Sequence, residues 1–263
     1  MGVLAVMENK VIFQKRNEIA VIEPWGKDCL RFRATPNIRL TDENWNLIPQ
    51  PEADCSVVID DNKAVIINGK ISAEFYTSGK VVYYKNGNEI LAERSEMAFN
   101  DGYRDYRALG GDNHRVTVIF QPNANEHFYG LGQEQNDCFD LKGSTSELIH
   151  KNTKSSIPFV YSSRGYGFIW NNPSIGRCEL TNNHTLWTAN SAKQIDYVVI
   201  AGDTPAEIMR KYADLTGYAP AFPRWASGFW QSKLRYEDQE ELMEVAREYR
   251  RRGIPLSAIV IDY

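Results

Sequence analysis

A mainly β chain, an antiparallel β-sandwich followed by a strand–helix–strand segment, is what this 263-residue sequence predicts. Three observations carry that reading. Short β-branched and aromatic runs recur over about the first 200 residues, separated by turn signals. Asn-Gly pairs stand between neighbouring runs at 68–69 and 86–87, where the positive φ of a two-residue hairpin is wanted. Beyond residue 203 the apolar spacing changes from strand to helix period, with proline and glycine as punctuation.

In chain order, the start MGVLAVMENKVIFQ has a short apolar stretch without a basic leader and reads as a first strand rather than a signal peptide. Strands are then expected at Val57–Ile59, Ala64–Ile67, Ile71–Tyr76, Val81–Tyr84, Val116–Phe120, Phe168–Trp170 and Tyr197–Ile200. Many short strands at close spacing suit an antiparallel sandwich. Thr204-Pro205 opens a helix, a hydroxyl for the N-cap and a proline at N1, where no N–H is missed. Ile208, Met209, Tyr212 and Leu215 follow at helical spacing, and Gly217 ends it. A proline-flanked connector leads to Trp225–Trp230, expected as a buried strand. A second helix, about Glu237 to Arg252, has acids in its first turn and arginines in its last, as the helix dipole favours. Leu256–Tyr263 then reads as a strand buried on both faces. Strand, helix, strand is one βαβ unit of a parallel sheet, and one unit cannot cover its own sheet. The chain end is therefore expected to be a truncation.

Composition narrows the function. Hydrophobic residues make up 43% and charged residues 24%, the balance of an ordinary globular protein. The net charge of −4 argues against nucleic-acid or anionic-membrane partners, and no apolar run reaches the ~18 residues of a membrane span. The four cysteines at 29, 55, 138 and 178 form no CxxC pair, and free thiols in the cytoplasm are expected. The histidines at 114, 127, 150 and 184 have no metal-ligand spacing, so neither a metal nor a cofactor is expected. Gly130-Leu131-Gly132 lacks the third glycine of a dinucleotide fingerprint and reads as a strand bend.

Three stretches go further. They are Phe128–Gln133 (FYGLGQ); Glu147 through Ile157-Pro-Phe159 and Ser163–Gly167 to Trp170–Pro173; and Pro223–Lys233 (PRWASGFWQSK) with Tyr236, Arg252–Pro255 and Ile259–Tyr263. Together they resemble glycoside hydrolase family 31, the α-glucosidase and α-xylosidase family. The resemblance implies a galactose-mutarotase-like β-sandwich over 1–222 and the truncated start of a TIM barrel over 223–263. It also implies a retaining hydrolase of terminal α-linked sugars, whose nucleophile and acid/base are two aspartates on later barrel strands. No catalytic residue is then expected within this chain. The partner would be an oligosaccharide or small glycoside, and a homo-oligomer that buries the tail is a further expectation. The competing reading is a stand-alone carbohydrate-binding or structural sandwich.

Site candidates follow from the same resemblance. Asp262 closes an apolar strand, and barrel active sites lie at C-terminal strand ends. A carboxylate there would accept hydrogen bonds from sugar hydroxyls. Gln231, Lys233 and Arg235 follow the first barrel strand on the same rim, where some relatives place an aromatic residue. Asp137 and Asp140 lie in a polar loop, 133–154, of the kind that in the family reaches over the barrel mouth.

Overall fold

The computed structural model describes every residue except 52, 54, 96–101, 136, 137 and 263. The chain opens with four antiparallel strands, β1 (Val3–Met7), β2 (Lys10–Lys15), β3 (Glu18–Pro24) and β4 (Cys29–Thr35). After a strap that begins at 36 a second meander follows: β5 (Ser56–Ile59), β6 (Lys63–Asn68), β7 (Ile71–Tyr76), β8 (Val81–Lys85) and β9 (Asn88–Ala92). Next come β10 (Arg104–Gly110), β11 (Asn113–Phe120), β12 (Phe128–Gln133), β13 (Thr145–Leu148) and β14 (Ser155–Ser162). The series closes with β15 (Tyr166–Trp170), β16 (Gly176–Leu180), β17 (Thr185–Ala192), β18 (Ile195–Ala201) and helix α1 (Pro205–Thr216). These elements form one compact unit, Met1–Gly217, and Tyr218–Tyr263 forms another.

In the first unit an eight-stranded sheet, β1-β2-β3-β4-β18-β15-β14-β12, makes one layer. Two five-stranded sheets, β5 to β9 and β10-β11-β17-β16-β13, contribute to the same core. Period-two alternation explains the packing. Phe13, Phe32, Phe168 and Tyr197 of the large sheet meet Phe75, Tyr83, Phe120 and Trp187 of the smaller ones. Strand β18 is buried at every position. Its odd residues enter this core, while Val198 and Ile200 pack on the outer side against Ile208 and Leu215 of α1. The expected cap of α1 is present, with Thr204 accepting from the Glu207 amide. Cys29 and Cys178 are buried thiols. Among the described residues no helix is long and apolar enough to cross a membrane.

The hairpins differ in one instructive detail. At 86–87 both residues have positive φ and Lys85 pairs with Asn88, the expected two-residue turn. At 68–69 the hairpin forms, but Asn68 stays in the strand opposite Ile71, and the turn is Gly69-Lys70. Tertiary bonds shift it: Asn68 donates to the carbonyls of Gly26 and Cys29, and Asp28 accepts from the Lys70 amide.

The second unit contains a 3-10 turn at Arg224–Ser227, β19 (Trp230–Lys233), α2 (Gln239–Arg251) and β20 (Ala258–Ile261). Strands β19 and β20 pair in parallel around α2, a βαβ unit. Two expectations need correction. The first strand starts at Trp230, because Pro223 sets up the 3-10 turn, and Trp225 stacks on Trp230 at 5.6 Å instead of preceding it in a strand. Nor are the strands buried: Trp230 is 46% and Ile261 82% exposed. A single helix shields one side only of a two-stranded pair.

Candidate functional site

The parallel pair sets the geometry of the first candidate site. Lys233 is opposite Ile261 in the register, so Leu234-Arg235 and Asp262 leave the C-terminal edge of the pair together. Asp262 is exposed there. Arg235 is half exposed, its Nε 3.9 Å from Glu237, too long and too solvated for a firm pair. Lys233 bonds to Glu241 in the first turn of α2, which holds its ammonium above the ordinary value, and its Nζ is 5.7 Å from the ring centre of Tyr236. Gln231 turns the other way: its Oε1 accepts from the Tyr249 hydroxyl at 2.6 Å, tying β19 to α2. Of the rim candidates, then, Asp262 and Arg235 face outward, while Lys233 and Gln231 are occupied with the helix. Sequence reasoning gave Tyr236 no role. Its hydroxyl is buried without a hydrogen-bond partner among the described residues, an unmet group beside the rim.

The loop after β12 is the second candidate, within the first unit. Asp137 lies outside the described residues. Asp140 accepts from His127 Nδ1 at 2.6 Å and from the amides of Phe128 and Lys142. Desolvation pushes its carboxyl up, but these three bonds outweigh it and hold the pKa below the ordinary value. The residue therefore fastens the loop to the start of β12. Within β12, Gly130, Leu131 and Gly132 all have positive φ, and the register to β14 shifts between the two glycines. The expected strand bend is this β-bulge. A Cβ at Gly132 would lie 2.2 Å from the Ser155 carbonyl, so no larger residue lets the strands close. Beyond the bulge, Glu134 pairs with Lys154 at 2.8 Å, both largely buried. Glu134 Oε1 and Ser156 Oγ there have no partner among the described residues. Neither was singled out from the sequence, because their proximity depends on the bulge.

Residues 17–179 match the glycosyl hydrolase 31 N-terminal galactose mutarotase-like domain, and residues 219–263 match the family 31 TIM-barrel domain. The chain belongs to glycoside hydrolase family 31. Its fold is thus a mutarotase-like sandwich followed by the start of a TIM barrel. Among family 31 proteins, an uncharacterized glucosidase, ORF2, of Pseudescherichia vulneris is 38% identical over all of this chain and 53% of its own length. Alpha-xylosidase A of Aspergillus niger is 40% identical over 94% of this chain and 37% of its own. A family 31 α-xylosidase from a soil metagenome, solved with xylose, superposes with a TM-score of 0.89 at 39% identity. That match covers 99% of this chain and 41% of the solved one. The chain spans about half or less of the length of these relatives.

Proposed function

We propose that this chain is the N-terminal part of a retaining α-glycosidase acting on terminal α-linked sugars, with α-xylosides preferred over α-glucosides. The observation that carries the reading is the superposition along 99% of the chain on an α-xylosidase crystallised with xylose. In this reading Asp262 accepts hydrogen bonds from sugar hydroxyls, Arg235 lines the same rim, and Asp137 is a further sugar-binding residue. A cytoplasmic site of action belongs to the reading and fits the buried thiols of Cys29 and Cys178.

Retention requires two carboxyl groups roughly 5–5.5 Å apart across the scissile bond. A TIM barrel takes about 250 residues, and the barrel match here covers residues 219–263. The nucleophile and acid/base therefore come from strands after β20, and residues 1–263 alone have no turnover. The decisive assay expresses the protein with a complete barrel and compares nitrophenyl α-xyloside and α-glucoside, with the product anomer followed by NMR. Net retention and a higher kcat/KM on the xyloside support the proposal. Inversion, or no hydrolysis of either glycoside, overturns it, and a glucoside preference overturns its choice of sugar.

A further inference from the structure

We propose a second feature, carried by the sandwich alone: a binding site for a neutral pyranose sugar at the end of the large sheet, with Trp45 as its stacking platform. The strap that follows β4 is bonded at Thr41, Asn44 and Asn46 to Gln194 and Asn171, in the loops that precede β18 and follow β15. Beneath it lies a cavity of about 150 Å³, bordered by Trp45, Asn113, Asn172, Glu43 and Lys193. That is smaller than the roughly 300–1,000 Å³ that engulfs a drug-sized ligand. It suits one ring laid on a platform.

Trp45 is 62% exposed, yet it is not on a loose loop. Its neighbours Asn44 and Asn46 both hydrogen-bond the buried Asn171, which itself donates to Asp196. Asn44 also closes a local ring with the Leu47 amide and carbonyl, and Leu47 is buried. Upstream, Gln194 clips Thr41 by donating to its carbonyl and accepting from its amide. The fold thus fixes the backbone on both sides of an indole and leaves that indole in water. An indole held in place with its face to solvent is a ready stacking surface for the apolar face of a ligand.

The chemistry around the indole selects the ligand. Glu43 and Lys193 pair with each other, and Asp196 is matched by a bidentate Arg31. The cavity therefore offers no unbalanced charge to a phosphate or a carboxylate. Uncommitted amides remain: the side chain of Asn113 and the side-chain nitrogen of Asn172 make no hydrogen bond among the described residues. The Asn172 oxygen accepts from the Ser174 amide. An amide both donates and accepts, which matches the hydroxyls of a sugar. The apolar face of a pyranose ring matches the indole. A flat aromatic, neutral donors and acceptors, and a shallow cavity together point to a sugar ring.

The test uses the 263-residue chain, labelled with nitrogen-15 and titrated with methyl α-xyloside and methyl α-glucoside. Only the choice of probes rests on the function proposed above. The readout is binding without turnover, so failure here leaves the activity assay untouched. Saturable shifts are expected at the Trp45 indole N–H and the side-chain amides of Asn113 and Asn172. Trp45→Ala should weaken binding at least tenfold, Asn172→Ala should weaken it less, and Trp45→Phe should retain most of it. The remaining spectrum should be unchanged in each variant, because these side chains lie outside the core. The proposal is overturned by an absence of saturable shifts or by shifts that map elsewhere. Affinity unaffected by Trp45→Ala, or equal binding of the acyclic polyol sorbitol, has the same consequence.

Discussion

Gly132 and Gly87 have the same left-handed backbone, each with φ near +81°, but different surroundings. A Cβ at Gly87 meets nothing within 4 Å, whereas at Gly132 it meets the Ser155 carbonyl. Alanine at 87 should cost only the conformational term, about 1 kcal/mol. Alanine at 132 should add a backbone clash and cost about 3 kcal/mol or more. Thermal unfolding should separate them, with Tm lower by roughly 2–4 °C and 6–12 °C respectively at 2–4 °C per kcal/mol; equal losses would contradict the packing argument. A second residue-scale feature is the guanidinium of Arg104, shared between Glu18 and Glu93. Burial raises Glu93 to about 7 against the pull of Arg104. For Glu18 burial also pushes upward, but Arg104 prevails and holds it below its ordinary value. A carboxyl with a native pKa near 7 and an unfolded one near 4.5 binds its proton more tightly when folded. Its stabilising effect is complete below about 4.5 and is lost as pH rises through 7. Tm should therefore fall between roughly pH 5 and 8, and Glu93→Gln should flatten that slope; a wild-type Tm that rises over this range sinks the assignment. Asp262 is exposed at its strand end. In the enzyme with its complete barrel, Asp262→Asn should lower kcat/KM by roughly tenfold to a hundredfold, since a charge-assisted bond contributes about 1.5–3 kcal/mol. The Tm should stay within a degree or two, and activity within twofold of wild type would rule the role out.

At the scale of elements, the hairpins, α1 and α2 were readable because local chemistry dictates them. Thr204-Pro205 is a capping signal and its cap formed, while the acids at the start of α2 complement its dipole and one of them, Asp238, also caps it by accepting from the Glu241 amide. Errors arose where tertiary partners decide. Asn68 was drawn out of its turn by the 26–29 segment, and the expected Trp225–Trp230 strand begins instead with a 3-10 turn after Pro223, closed by the stacking of Trp225 on Trp230. The first candidate rim was legible as far as backbone placement goes, because the parallel register puts Asp262 beside Leu234-Arg235. What Lys233 and Gln231 do was not, since their partners lie on α2, 8 and 18 residues away. Glu134, Ser156 and Tyr236 left no trace in the sequence, because an unmet hydrogen bond exists only once the neighbours are packed.

At the scale of the whole molecule, the two compact units meet in the sequence at 217–218. Residues 217–225 are exposed without interruption. Large apolar side chains in the second unit face solvent, among them Trp225, Phe229, Leu234 and Ile261. Open strand edges with such surfaces pair readily between molecules. Limited proteolysis should therefore cut first within 217–225 and leave a resistant product of the sandwich. Initial cleavage inside a sandwich strand, with the 217–225 bonds intact, would show that the weak point is elsewhere.

On the side away from β3, β4 pairs with β18, and the buried pair that joins them, Arg31 with Asp196, spans 165 residues. During synthesis the first four strands must therefore wait for their partner. At about 5–20 residues per second the ribosome needs roughly 10–30 s to deliver it. Over that interval β4 presents an unpaired edge and Arg31 an unpaired charge, both within reach of other nascent chains on the same message. Burial of that arginine, and with it closure of the sheet, is thus a late event on the ribosome, and the early meander is the stage at which chaperones have most to guard.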